Sequence, residues 1–199
     1  MDPTAQAKTQ PKACTILIGG GVRSGKSAFA LVRARALGSR RVFIATAEAF
    51  DDEMRERAER HREERGCEFT TLEAPRQLVA ALREASRHAD VIVVDCLTLW
   101  LSNLLLEGLE QPAILARVDE LASVLTQLGV PVVLVTNEVG LGIVPDSKLG
   151  RVFRDVAGAA HQRLAKQCDE LYFAVMGQLL RLRPSPVELV VSSASDAAE

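Results

Sequence analysis

Gly20-Gly21-Val22-Arg23-Ser24-Gly25-Lys26-Ser27 follows the apolar run Cys14-Thr15-Ile16-Leu17-Ile18 and leads into the helical pattern Phe29–Leu37. This is a full G-x-x-x-x-G-K-[ST] pattern with a strand before it and a helix after it, the setting in which it binds phosphate. Gly20 and Gly25 let the backbone curl so that successive N–H groups point inward at phosphate oxygens. The helix that follows turns its positive end to the same oxygens. Lys26 supplies a mobile cation for the β- and γ-phosphates, and the Ser27 hydroxyl is placed to ligate Mg²⁺. Residues 20–27 are therefore read as a nucleoside triphosphate site.

Outward from the loop, apolar runs alternate with helical patterns. Strands are expected at Cys14–Gly19, Arg41–Thr46, Val91–Asp95, Pro131–Thr136 and Glu170–Val175, with a further one at Leu179–Arg183. Helices are expected at Lys26–Leu37, Asp52–Arg65, Pro75–His88, Leu97–Glu107, Pro112–Leu128 and Lys148–Cys168. The β-branched runs Val91–Val94 and Val130–Val135 suit buried parallel strands. The alternation predicts an α/β fold of the P-loop NTPase type: an open, mostly parallel sheet with helices on both faces and an antiparallel C-terminal hairpin. The 199 residues, 48% hydrophobic, fit one such domain over 13–183. Residues 1–12 read as a flexible lead-in and 184–199 as a polar tail.

The formal net charge of −2 gives no reason to expect a nucleic-acid partner. No apolar run is long enough to span a bilayer, and the N-terminus lacks an apolar signal core, so membrane insertion is not expected and a cytoplasmic location is. Cys14, Cys67, Cys96 and Cys168 are widely spaced and predict reduced thiols rather than a metal or disulfide framework.

Ligands in open α/β sheets bind beyond the carboxyl ends of the strands. Asp95 ends the Val91–Val94 run, where a carboxylate either helps to hold Mg²⁺ or caps the helix beginning at Leu97. After the second strand come Ala45-Thr46-Ala47-Glu48 and a charged segment carrying His61, Arg62, Glu63, Glu64 and Arg65. His61 and Arg65 share a helical face. A histidine there is either a solvated surface residue or a nucleophile toward phosphorus, with the arginines gripping the anion. Thr136-Asn137-Glu138-Val139-Gly140-Leu141-Gly142-Ile143-Val144-Pro145 is either an ordinary strand-to-helix turn or a loop that meets a second substrate. Asn-Lys-x-Asp, the guanine-reading pattern of regulatory GTPases, does not occur, which argues against a GTPase switch.

These pieces together resemble the bifunctional adenosylcobinamide kinase / adenosylcobinamide-phosphate guanylyltransferase family of cobalamin biosynthesis. The resemblance rests on GGVRSGKS at 20–27, IATAEAFDDEM at 44–54, the segment with His61, Asp95-Cys96-Leu97-Thr98 and TNEVGLGIVP at 136–145. It continues through Phe153-Arg154-Asp155-Val156-Ala157-Gly158 and Gln162-Arg163-Leu164-Ala165. It implies phosphorylation of adenosylcobinamide by GTP or ATP, then GMP transfer from GTP through a His61–GMP intermediate to adenosylcobinamide phosphate. By the same carry-over, Gly20–Ser27, Ala45, Thr46, Ala47, Arg62, Glu63, Glu64, Arg65, Glu73 and Asp95 match nucleotide-binding positions. Lys26 and His61 match the catalytic ones, and Ser27 and Asp95 the Mg²⁺ site. Some relatives have Glu where this chain has Asp95. The resemblance also implies a corrinoid substrate and a homo-oligomer, a trimer. Two other functions fit the residues read without it: a different small-molecule P-loop kinase with no transferase step, and a nucleotide-dependent binding module.

Overall fold

A computed structural model describes residues 13–48 and 66–184. Its centre is a seven-stranded sheet made of β1 (Thr15–Gly20), β2 (Arg41–Ala45), β3 (Phe69–Glu73), β4 (Val91–Asp95), β5 (Val132–Val135), β6 (Glu170–Val175) and β7 (Gln178–Arg183). The strand order is β3-β2-β4-β5-β1-β6-β7. All neighbours are parallel except the β6–β7 hairpin. The helices are α1 (Lys26–Leu37), α2 (Leu78–Ala85), α3 (Leu97–Leu106), α4 (Gln111–Leu125) and α5 (Lys148–Gln167).

Strand residues alternate between two apolar layers. Ile16, Ile18, Val91, Val93, Val133 and Val135 pack with Ala30 and Ala34 of α1. Leu17, Ile92, Val94, Val132 and Leu134 pack with buried residues of α2 to α5, among them Leu82, Trp100, Leu121 and Leu164. The central strands thus bury both faces, which is why their sequences are almost unbroken Val, Ile and Leu.

The five strong strands and the C-terminal hairpin lie where the sequence predicts them. β3 does not follow from the sequence reading, which runs from one helix at 52–65 straight to the next at 75–88. The reason is its position. β3 is an edge strand whose pattern Phe-Thr-Thr-Leu-Glu buries only Phe69, so it shows no continuous apolar run. The expected helix over 75–88 contracts to Leu78–Ala85, because Pro75 and Arg76 lie in the turn leading to it. The expected helix over 52–65 lies outside the described residues, as do the lead-in 1–12 and most of the tail.

Candidate functional site

The loop after β1 carries the backbone that its glycines predict. Gly20 has φ 156° and Gly25 φ 93°, both in the region closed to most L-residues. A Cβ on Gly20 would lie 2.4 Å from the Ala174 carbonyl oxygen of β6, so this position excludes any side chain. Gly25 then opens α1, and Lys26 is its first residue. Lys26 is 7% exposed, and its Nζ donates to the Gly21 carbonyl at 2.8 Å. The ammonium is thus folded over the loop whose N–H groups form the cradle. The buried Ser24 Oγ has no hydrogen-bond partner among the described residues. A buried hydroxyl without a partner is costly, and one inside a phosphate-binding loop has an obvious acceptor in a phosphate oxygen.

Asp95 ends β4, two strands from β1 with β5 between them. The peptide joining it to Cys96 is cis. Burial first, and then the Asp95 carboxylate, push the Cys96 thiol up to about 11, while the Lys26 ammonium pulls the other way. The thiol is therefore protonated at neutral pH. Lys26 opens the helix that follows β1 and Asp95 closes β4, so both stand at the carboxyl edge of the sheet, two strands apart. The donor set fits a magnesium nucleotide: a hydroxyl at Ser27 in the first turn of α1, a carboxylate at Asp95, and the orphaned Ser24 Oγ within the cradle. Among the described residues no cluster of three or more His, Cys, Asp or Glu forms a protein-only metal site. Mg²⁺ normally relies on substrate phosphates and water for most of its ligands.

The Asp95 corner is held by Thr46, which the family resemblance points to, and by Asn103, which the sequence does not single out. Thr46, which is fully buried, donates from Oγ1 to the Cys96 carbonyl at 2.7 Å and accepts from the Cys96 N–H at 2.8 Å. Its own N–H reaches the Asp95 carbonyl, and its carbonyl accepts from Asn103 Nδ2 at 2.8 Å. The same Asn103 amide donates to Pro75 O at 2.9 Å. The Thr46 hydroxyl is therefore committed to shaping the turn that presents Asp95. Thr46→Val should cost about 2–4 kcal/mol, because it strands two buried backbone groups of Cys96. Urea unfolding of the variant against the wild type measures this.

Next to Asp95, Thr98 Oγ1 accepts from the Asn137 N–H at 2.9 Å, which ties the 136–145 loop to the start of α3. Glu48 and Arg76 form a two-pronged ion pair. Thr136, directly after β5, has its Oγ1 2.6 Å from Nε2 of His161 on α5. Burial holds the His161 imidazole below its ordinary value, and the Glu138 carboxylate opposes this. A polar residue beside the buried stripe Ala157, Ala160 and Leu164 was the available sequence signal for His161.

The predicted nucleotide residues fall into two groups along the sheet edge. Gly20–Ser27 and Asp95 gather around β1, β5 and β4. Ala45 ends β2, three strand positions from β1, with Thr46 and Ala47 directly after it, and Glu73 ends β3, paired with Ala45. At about 4.8 Å per strand, Glu73 stands about 19 Å across the sheet from the phosphate loop. His61, Arg62, Glu63, Glu64 and Arg65 lie outside the described residues.

A parallel sheet whose first strand ends in this loop, with an acidic residue closing a strand two positions away, defines a nucleotide-binding protein of the P-loop class. Within that class, the model of the cobinamide kinase / cobinamide phosphate guanyltransferase family matches residues 16–182, and the chain belongs to this family. It is 42% identical over 172 residues to the bifunctional adenosylcobalamin biosynthesis protein CobP of Pseudomonas aeruginosa, spanning 86% of this chain and 98% of that one. Against the bifunctional adenosylcobalamin biosynthesis proteins CobU of Escherichia coli and Salmonella typhimurium the identity is 38%, over 81% of this chain and 96% of each of theirs. The chain is thus a bifunctional transferase of adenosylcobalamin biosynthesis, a kinase for cobinamide and a guanylyltransferase for cobinamide phosphate. This decides against the kinase-only and binding-module alternatives. Among the described residues, no helix is long and apolar enough to cross a membrane.

Proposed function

We propose that Gly20–Ser27 and Asp95 carry the phosphorylation step, and that His61 carries the guanylyl group. The observation behind the first assignment is the Lys26 ammonium lying over the Gly21 carbonyl in a loop that keeps an unpartnered buried hydroxyl, with Asp95 two strands away at the same edge of the sheet. The loop amides and Gly21, Val22 and Arg23 wrap the triphosphate of GTP or ATP. Lys26 draws charge from the γ-phosphate as the transition state forms. Ser27 and Asp95 would hold Mg²⁺, which offsets phosphate charge when bound. The alcohol oxygen of adenosylcobinamide bonds to the γ-phosphorus while the β–γ bridge bond breaks. The nucleoside diphosphate leaves, and the alcohol proton passes to solvent. Positioning supplies most of the acceleration.

In the second reaction a neutral His61 nitrogen bonds to the α-phosphorus of GTP, and pyrophosphate leaves. A phosphate oxygen of adenosylcobinamide phosphate then bonds to that phosphorus, the P–N bond breaks, and adenosylcobinamide-GDP forms with imidazole regenerated. One hard transfer becomes two easier ones. Neutral imidazole is the attacking form and its protonated adduct the better leaving group, so a pKa near neutrality serves both halves. Arg62 and Arg65 steady the triphosphate, with Ala45, Thr46, Ala47, Glu63, Glu64 and Glu73 completing the nucleotide contacts and the 137–145 loop facing the corrinoid. Residues 13–183 act as one domain flanked by the 1–12 and 184–199 extensions, in a cytoplasmic homo-oligomer, a trimer.

Incubation of the full chain with adenosylcobinamide, GTP and Mg²⁺ should give adenosylcobinamide phosphate first and adenosylcobinamide-GDP second, resolved by liquid chromatography and mass spectrometry. ATP alone should stop the sequence at the phosphate. Accumulation of adenosylcobinamide phosphate with GTP present, and no adenosylcobinamide-GDP, would sink the guanylylation scheme.

A further inference from the structure

β5 is hydrogen-bonded to the phosphate-loop strand β1 on one side and to the Asp95 strand β4 on the other. Any group held between Lys26 and Asp95 therefore lies over the end of β5. Thr136 follows that end directly, and the segment it begins is fastened to both flanks. The Thr136 N–H donates to Ile18 O at 3.0 Å, and the Glu138 N–H to Gly20 O at 2.9 Å, Gly20 being the first residue of the loop. On the other flank, the N–H and side-chain amide of Asn137 both donate to Thr98 Oγ1, at 2.9 and 3.2 Å. The backbone of 136–138 thus spans the gap between phosphate loop and acid.

The side chain of Thr136 is 3% exposed. A methyl added at Gly19 would touch its Cγ2 at 3.8 Å. Its hydroxyl meets His161 Nε2 at 2.6 Å. A buried threonine hydroxyl would otherwise turn about its Cβ–Oγ1 bond. The imidazole fixes that rotor and, through it, the start of the loop that enters α5. Burial keeps this imidazole neutral at neutral pH, so Nε2 carries either a lone pair or a proton for the hydroxyl according to tautomer.

We propose that His161 is a positioning residue for phosphoryl transfer: by holding the Thr136 hydroxyl, it fixes the 136–138 segment over the phosphate loop and Asp95, where the acceptor alcohol meets the γ-phosphate. The inference rests on the phosphate loop being the phosphorylation site. His161 touches no reacting atom. It acts on the geometry of approach, in which a small misplacement at the reacting centre costs rate rather than nucleotide affinity.

The test is steady-state phosphorylation of cobinamide by the full chain as wild type, His161→Ala, His161→Gln, Thr136→Val and the Ala/Val double variant. GMP-adduct formation and thermal unfolding are followed on the same samples. His161→Ala and Thr136→Val should each lower kcat about 10- to 100-fold, with the nucleotide KM within about twofold. The double variant should be no slower than the slower single, because both remove one contact. Glutamine reaches the same place with an amide and should recover most of the loss. GMP-adduct formation should keep its wild-type rate. An unchanged kcat in Thr136→Val overturns the proposal. So does a fall in kcat matched by a rise in KM and a loss of adduct, since that marks a structural contact alone. If His161→Ala unfolds early, the near-isosteric Thr136→Val and the glutamine variant decide. A wild type that forms the adduct but phosphorylates nothing would instead refute the phosphorylation-site assignment on which the inference stands.

Discussion

Lys26→Ala is expected to lower kcat/KM for cobinamide phosphorylation by about 10²- to 10³-fold, the loss typical when one preorganised charge donor is removed from a transition state. Lys26 is nearly buried and its Nζ hydrogen-bonds within the loop, so the ammonium is already in place before the reaction rather than recruited by it. Preorganisation of this kind makes the charge worth more than it would be in water. Arginine should not rescue the variant. Its broad planar fork cannot take the place of a compact ammonium lying against a backbone carbonyl, and the close-packed loop leaves it no room. The measurement is initial rates over a nucleotide series, with a thermal melt to confirm that the variant is folded. Wild-type rates would remove the loop from the mechanism.

His61→Ala is expected to abolish the covalent GMP adduct outright while leaving phosphorylation within about threefold of wild type, because a nucleophile is required for its own bond and not for the other transfer. Intact mass after incubation with GTP and Mg²⁺ reads the adduct directly. The wild type should gain the mass of one GMP and the variant none. Mild acid should release the group from the wild type, as expected of a P–N bond whose leaving imidazole is protonated. Phosphorylation that fell as completely as GMP transfer would end the division of labour between His61 and the loop. An adduct surviving in His61→Ala would move the nucleophile elsewhere in the chain.

What was legible in the sequence differs from residue to residue for physical reasons. Gly20 and Gly25 could be assigned without a structure, because their positive φ follows from the curl the loop must make, and that constraint is local. Val91–Val94 and Val132–Val135 were legible because strands buried on both faces carry no polar interruptions. β3 was not, because an edge strand has one poorly covered side and its threonines look like loop. Thr46 was found as a site position through family resemblance. The partners that occupy its hydroxyl lie fifty residues away at Cys96, and no local pattern announces them. His161 was missed for the same reason: its partner Thr136 lies on another element, and on its own helix it passes as an ordinary polar residue beside an apolar stripe.

The sequence by itself determined the phosphate loop, the alternation of strands and helices, and the family with its two reactions. All of these are written in short contiguous stretches whose backbone and chemistry depend on immediate neighbours. The tertiary structure alone decided that β5 lies between the phosphate loop and Asp95, that Thr46 and Asn103 build the Asp95 corner, and that His161 holds Thr136. Those facts depend on the lateral order of strands and on which helix covers them. That order is set by burying apolar faces summed over the whole chain, and no short segment carries it.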